Sequence, residues 1–415
     1  MRPISRTFGT FWFCALVLQA QDATELLARM KRMEGRIQAL EAEVKALKSK
    51  PEPVTVSATQ NSVQPVPQAM VPPPLADQGP VQTSARSGTN AFNPDMGVIG
   101  NFVGAAGRNT INPLPSLSLQ ETELSLQAIV DPYARADFFL AIGEEGIEVE
   151  EGYITFPTVK GGFLVKAGKM RATFGRVNTF HNHTLPWIDR PLATFNLLGG
   201  SLEEADVGIK DAGISVSRIL PAPRGLFLEA TGEVFRGDSG TLFKSSRRSD
   251  VSTVGHLKAY RDLSEATNLE LGGSYGRGHN DVGSTFLTQL YSLDATLRWR
   301  PPSRAIYHSF SARTELFWSR REELPATQRA FGFFASTEYQ LGRRWFTGGR
   351  YDWSERARNA ALHDSSGSLV LTYWPSEFNQ IRAQLRRTRY AERQTANELL
   401  IQFLFTLGAH GAHPF

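Results

Sequence analysis

From Met96 to Leu407 the chain is written largely in a period of two, and this alternation limits its possible folds more than any single motif does. In the last such segment Leu399, Ile401, Phe403, Phe405 and Leu407 alternate with Leu400, Gln402, Leu404 and Thr406. Tyr291, Leu293, Ala295, Leu297 and Trp299 likewise alternate with Ser292, Asp294, Thr296, Arg298 and Arg300. Phe310, Ala312, Leu316 and Trp318 oppose Ser309, Ser311, Arg313 and Glu315, and Leu269, Leu271 and Tyr275 oppose Asn268, Glu270 and Ser274. Successive side chains of a strand point to opposite faces, so each segment asks for one apolar and one aqueous environment. The core of a soluble β-protein has no place for the charged face, whereas a barrel with lipid outside and water inside uses both.

Past residue 21 no stretch approaches the roughly 20 apolar residues of a membrane-spanning helix, so an integral membrane role falls to strands. Segments counted from Met96 to Leu407 predict about sixteen of them, a size that leaves an aqueous channel. The 36 glycines and 26 phenylalanines agree with β-structure rich in turns. The expected fold class is all-β, a transmembrane antiparallel barrel over residues 96–415. Short connections are expected at Asp131-Pro132, Pro157 to Gly161, Leu220 to Gly225, Pro301 to Arg304, Gly342 to Arg344 and Pro375 to Phe378, as periplasmic turns. Longer polar loops are expected outside the cell at Arg171 to Ala205, Gly237 to Ser252, Arg277 to Thr288, Arg320 to Arg329 and Glu355 to Ser365.

Three segments are expected ahead of the barrel. Residues 1–21 read as an export signal: Arg2 and Arg6 precede the apolar run from Phe8 to Leu18, and small Ala20 stands near a cleavage point. Residues 22–49 carry Leu26, Met30, Met33, Ile37, Leu40, Val44 and Leu47 in the four-three spacing of a coiled coil. In a parallel assembly of that helix Arg29 would face Glu34, Arg36 would face Glu41 and Glu43 would face Lys48, all attractive, so a homo-oligomer is expected, dimer or trimer. Residues 50–95, with Pro51, Pro53, Pro65, Pro67, Pro72, Pro73, Pro74 and Pro80 among polar residues, read as an extended spacer.

A net charge of +4 and the absence of long runs of like charge argue against nucleic acid as a partner. The single cysteine, Cys14, lies in the export signal, so a processed chain has no thiol chemistry. No GxSxG elbow, P-loop, dinucleotide fingerprint or zincin motif occurs, and Gly272-Gly273-Ser274-Tyr275-Gly276 sits inside a strand pattern, so no enzyme and no cofactor are expected.

The order of signal, coiled coil and barrel resembles Gram-negative porins, and more narrowly the phosphate-selective (O/P-type) porins. The most local similarity is Ala167-Gly168-Lys169-Met170-Arg171-Ala172-Thr173-Phe174-Gly175-Arg176, which is similar to the Gly-basic-aromatic-basic-x-Pro-Phe-Gly stretch of that family, with Thr173 where proline is usual. Phe415 resembles the aromatic terminus read by the outer-membrane assembly machinery, although the last strand is expected to stop near Leu407. The resemblance implies location in the outer membrane of a Gram-negative-type bacterium, contact with its lipid, and a coiled coil in the periplasm.

The Arg171 to Ala205 loop is the longest and the third outer one, where porins fold a loop inward, so the constriction is expected there. It carries Arg171, Arg176, His181, His183, Asp189 and Arg190, and the preceding strand adds Lys166 and Lys169. Lumen-facing cations are also expected at Lys258, Arg298, Arg313, Arg350, Arg382 and Arg386. A ring of fixed cations concentrates anions. The neighbouring carboxylates Glu229, Glu233, Glu270, Asp294, Glu315 and Asp352 offset it, so the charges also read as bracing ion pairs. His181 and His183, and His410 and His413, have metal-like spacing but fall on opposite membrane sides, so they read as surface or gating histidines and no metal is expected. Two functions follow: passive diffusion of small hydrophilic solutes, with a preference for anions or phosphate, and alternatively a barrel that anchors the envelope through its coiled coil.

Overall fold

The structure, a computed structural model, describes residues 94–143, 146–199 and 207–408, together with Lys31. The expected export signal, the heptad residues Leu26 to Leu47, nearly all of the spacer, and His410, His413 and Phe415 lie outside the described residues.

Sixteen strands follow in chain order among the described residues. They are β1 (Asp95–Arg108), β2 (Leu117–Asp131), β3 (Ala134–Gly143), β4 (Gly146–Val159), β5 (Phe163–Arg171), β6 (Lys210–Leu220), β7 (Leu226–Phe235) and β8 (Ser252–Ser264). β9 (Thr267–Asn280), β10 (Gly283–Trp299), β11 (Phe310–Arg321), β12 (Gln328–Gly342), β13 (Trp345–Arg356), β14 (Asn359–Ser376), β15 (Asn379–Arg389) and β16 (Thr395–Gly408) complete the set. Each strand pairs antiparallel with its neighbours in sequence, and β1 closes on β16 with Phe102 opposite Phe403. Closure leaves no strand edge, so backbone donors and acceptors are satisfied without water. Among the described residues no helix is long and apolar enough to cross a membrane.

The two faces are the reverse of those in a soluble protein. Leu369, Leu385 and Leu407 are 67%, 57% and 60% exposed on the outside, while Ser368, Gln384 and Thr406 beside them are buried inside. Aromatic rings border the outer apolar band at both ends. Near the longer connections Phe331 packs against Trp318, Phe333 and Trp353, and near the shorter ones Trp345 stacks on Tyr373 at 4.4 Å. From Trp345 to Trp353 the strand rises roughly 26 Å. At a tilt of about 40° this is roughly 20 Å of height, close to the ~25 Å apolar band between aromatic girdles of membrane barrels.

The short connections lie where the sequence places them, with one more at Glu265-Ala266 between β8 and β9, except that the one between β10 and β11 runs on from Arg300 to Ser309. Two expected loops are absent as loops. β9 and β10 run on to a turn at Asp281-Val282, and β13 and β14 to a turn at Ala357-Arg358, so Arg277 to Thr288 and Glu355 to Ser365 are mostly paired strand. A hairpin that rises beyond the lipid is wet on its outer face, and its polar sequence is then indistinguishable from a loop's.

The main apolar core of the described residues lies inside the barrel. It joins inward side chains such as Tyr153, Met170, Phe235, Leu290, Phe317, Phe334 and Val370 to Phe174, Leu185, Trp187 and Leu197 from the long β5–β6 connection, residues 172–209. Among its described residues that connection contains two 3-10 turns, Val177–Thr179 and Asn182–Thr184, and a short α-helix, α1 (Leu192–Leu197), with Ala193 and Leu197 fully buried.

Candidate functional site

The connection enters the barrel directly from β5. Ala172 N donates to Ile209 O at 2.9 Å, and Asn178 Nδ2 donates to the carbonyls of Ala172 and Ile209, so one side chain ties the loop's two ends together. Gly208, at φ +124°, leaves room for that amide: a Cβ there would come 2.0 Å from Asn178 Oδ1. The Phe174-Gly175-Arg176 stretch then turns inward. Phe174 is fully buried beside Phe317, and Gly175 adopts φ +60° with its backbone pressed onto Glu315. Only a residue without Cβ fits both the left-handed backbone and the contact, since a Cβ would fall 1.5 Å from Glu315 Oε1.

From there the loop is bonded to walls all round the barrel. Thr173 N donates to Glu233 on β7 at 2.8 Å, Gly175 N to Ser274 Oγ on β9 at 2.8 Å, and Val177 N to Glu315 on β11 at 3.1 Å. Arg176 pairs with Glu270, whose other oxygen accepts from Arg298 at 3.3 Å. Across the lumen Arg382 on β15 donates to the carbonyls of Leu185 and Trp187, and Ile188 N donates to Gln384. Asp189 sits between Arg350, at 3.0 Å, and Arg386, at 2.7 Å. Burial opposes ionisation of Asp189, yet the two guanidiniums bring its pKa down to about 2. Arg350 also stacks over Trp187 and bonds Asp352, and Arg386 also bonds Glu398.

A second anchor lies on β2 and β4. His181 Nδ1 stands 2.8 Å from Glu123 on β2 and 3.0 Å from Glu150 on β4, and His183 Nδ1 stands 3.5 Å from Glu123. Burial disfavours the charged imidazole of His181, but Glu150 and Glu123 outweigh it and hold the group well above its usual range. Arg171 donates to Glu150 at 2.6 Å, and Arg190 donates to Asn182 Oδ1 and to the carbonyls of Val177 and Phe180.

Of the residues expected at a constriction, Arg171, Arg176, His181, His183 and Arg190 are thus gathered within or against the folded loop, and Arg298, Arg350, Arg382 and Arg386 meet it or its partners from the wall. Lys166 lies over the Tyr153 ring, and Arg313 is half-buried on the inward face of β11. Lys169 is set apart from them, bonded to the exposed Glu148 together with Lys210. A ring of exposed cations is not what these residues form: most hold carboxylates of the wall or loop. Lys258, too, pairs with Glu229 at 3.7 Å.

Sequence reasoning passed over Glu121, Glu123, Glu150, Glu151, Gln384 and Glu398. A signal was present, because Glu121 and Glu123, and Glu148 and Glu150, alternate in step with their strands and mark an inward acidic face. Their partners lie on a loop whose path the alternation does not encode.

No family model matches the chain. An uncharacterized protein of Aquifex aeolicus (strain VF5) is 31% identical over 349 residues, an alignment covering 74% of this chain and 71% of that protein. Solved structures share the fold at low identity. The anion-selective porin from Comamonas acidovorans has a TM-score of 0.52 at 10% identity, covering 76% of this chain and 99% of that one. The trimer form of OmpT, an outer-membrane protein of Vibrio cholerae, has 0.50 at 11%, covering 76% and 99%. OprB of Pseudomonas putida, in its high-pH structure, has 0.50 at 8%, covering 76% and 94%. The barrel fold is therefore that of outer-membrane porins and channels.

Proposed function

Because the chain belongs to the same family as the Aquifex aeolicus protein, and its barrel has the porin fold, we propose that it is a passive diffusion channel for small hydrophilic solutes in an outer membrane. The observation that carries this reading is the long connection. It folds into the barrel and is bonded to strands around the lumen, at Glu123 on β2, Glu150 on β4, Glu233 on β7, Glu315 on β11 and Arg386 on β15, as a fixed constriction must be. The end with the longer connections then faces outward and the short turns face the periplasm.

Selectivity is proposed to be weakly anionic. Arg176, Arg298, Arg350 and Arg386 hold carboxylates, which cancels most of the field that an anion would feel, while Arg382 donates to the carbonyls of Leu185 and Trp187 and to the Gln402 amide oxygen. Phosphate specificity would need convergent unpaired cations, and the paired arginines do not supply them. Assembly as a trimer is proposed by analogy with the OmpT form.

The test is single-channel recording of purified protein in planar bilayers, with reversal potentials measured across gradients of chloride, phosphate and carboxylate salts. Discrete steps with a small anion bias are expected. The apolar cluster, which draws on β4, β5, β7, β8, β10, β11, β12 and β14, favours one competing reading, a filled barrel used as an envelope anchor. Folded protein that never conducts would select the anchor.

A further inference from the structure

The His181-Asn182-His183 turn meets the barrel wall where two carboxylates converge on one ring nitrogen. His181 Nδ1 lies 2.8 Å from Glu123 Oε2 and 3.0 Å from Glu150 Oε2, and Glu123 Oε2 is also 3.5 Å from His183 Nδ1. One N–H cannot direct a good hydrogen bond at two acceptors at once. We propose that this corner is a binding site for one divalent transition-metal cation of the zinc class, with Glu123, His181 and His183 as ligands and Glu150 as the fourth donor.

The spacing fits. Zinc bonds of about 2.0–2.2 Å in a tetrahedron put ligand atoms about 3.3 Å apart. The observed separations, 2.8 and 3.0 Å from His181 to Glu123 and Glu150 and 3.5 Å from His183 to Glu123, lie near that value, and Glu150 swings toward His183 to complete the set. Donor atoms of Glu123, His181 and His183 all lie within 4.8 Å of one another.

The charge fits as well. The carboxylates Glu121, Glu123, Glu150 and Glu151 are buried here beside Arg171, Arg190, His181 and His183. A divalent cation bound through the two imidazoles would be compensated by Glu123 and Glu150, which already face His181, in a place where uncompensated charge is costly.

The ligands are held before any ion arrives. Thr184 Oγ1 donates to His181 O at 2.8 Å, and Asn182 between the two histidines accepts from Arg190 Nε at 2.7 Å. Glu150 Oε1 accepts from Arg171 at 2.6 Å, which turns Oε2 toward His181. Partners of this kind orient first ligands in metal sites. Mixed imidazole and carboxylate donors favour zinc-like ions over magnesium or calcium. The ion would staple the loop to β2 and β4, and this holds whether or not the barrel conducts.

Calorimetric titration of the full-length protein in detergent with zinc, after chelator treatment, should give one ion per chain, with magnesium giving no saturable binding. X-ray absorption should report two imidazoles with oxygen donors. His183→Ala and Glu123→Gln should each weaken binding at least about 100-fold, while His410→Ala with His413→Ala leaves it unchanged. Heat-modifiable migration on gels verifies that each variant is a folded barrel. If a variant fails to fold, the imidazole count from the unmodified protein decides alone. Absence of stoichiometric zinc binding by the folded protein overturns the proposal, as does binding that survives His183→Ala but is lost with His410 and His413.

Discussion

Asp189 is the residue that most firmly holds the long connection against the far wall, and its energetics are those of a buried ion network. Removing its charge with Asp189→Asn leaves Arg350 and Arg386 facing each other, although Asp352 and Glu398 still pair with them. Breaking a buried pair costs about 3–5 kcal/mol, and the retained partners place this case near 3 kcal/mol. Faster hydrogen exchange at residues 185–190, with strand amides unchanged, is the expected readout. The pH dependence follows from the same contact. The pKa of Asp189 is depressed from an ordinary value of about 3.9 to about 2. Its stabilisation is therefore complete above pH 4 and is lost as pH falls through about 2. The same exchange measurement run from pH 6 downward should show the loop held at pH 4 and loosened only near pH 2. Gly175→Ala is a separate case: a left-handed backbone costs about 1–2 kcal/mol for a residue with Cβ, and contact with Glu315 adds to it. Loss of loop protection from added protease, in a barrel that still folds, is expected.

At the scale of elements, strand faces and loop follow different rules. Leu369 lies opposite Gly349, midway between Trp345 and Trp353, and points outward at 67% exposure. Leu369→Arg should cost about 2–4 kcal/mol in a lipid-refolding titration, the range for arginine at the bilayer midplane. Ala361→Arg, on the same strand beyond the aromatic belt, should cost about 0–1 kcal/mol in that titration. Equal costs would mean that the band is misplaced. Replacing residues 177–206 by a short Gly-Ser linker removes the proposed constriction but none of the strand pairs. Single-channel conductance should rise while the barrel still refolds, and unchanged conductance would put the limiting section elsewhere.

For the whole molecule, the barrel closes through pairing of β1 with β16, from Gly97 opposite Gly408 to Arg108 opposite Asn397. Deleting Asp22 to Pro94 should then leave conductance intact and alter only assembly or envelope integrity, and loss of conductance would tie the channel to the preceding segment. Family membership with the Aquifex aeolicus protein extends the fold to that relative over the aligned length.

What was legible in the sequence follows from the period of two. Leu399, Ile401 and Phe403 must face lipid if Gln402 faces inward, so membrane barrel, strand number and lumen face could be read residue by residue. The alternation lost its meaning where both faces are wet, which is why the rising ends of β9, β10, β13 and β14 looked like loops. The 167–176 stretch announced that a loop begins, and its histidines and arginines were visible. Which of them meet Glu123, Glu150, Glu270 or Asp189 was not, because those partners lie on strands distant in sequence and are brought together by curvature and closure of the sheet. Whether cations line a channel or brace a loop is set by such distances, and on a linear chain the two arrangements read alike.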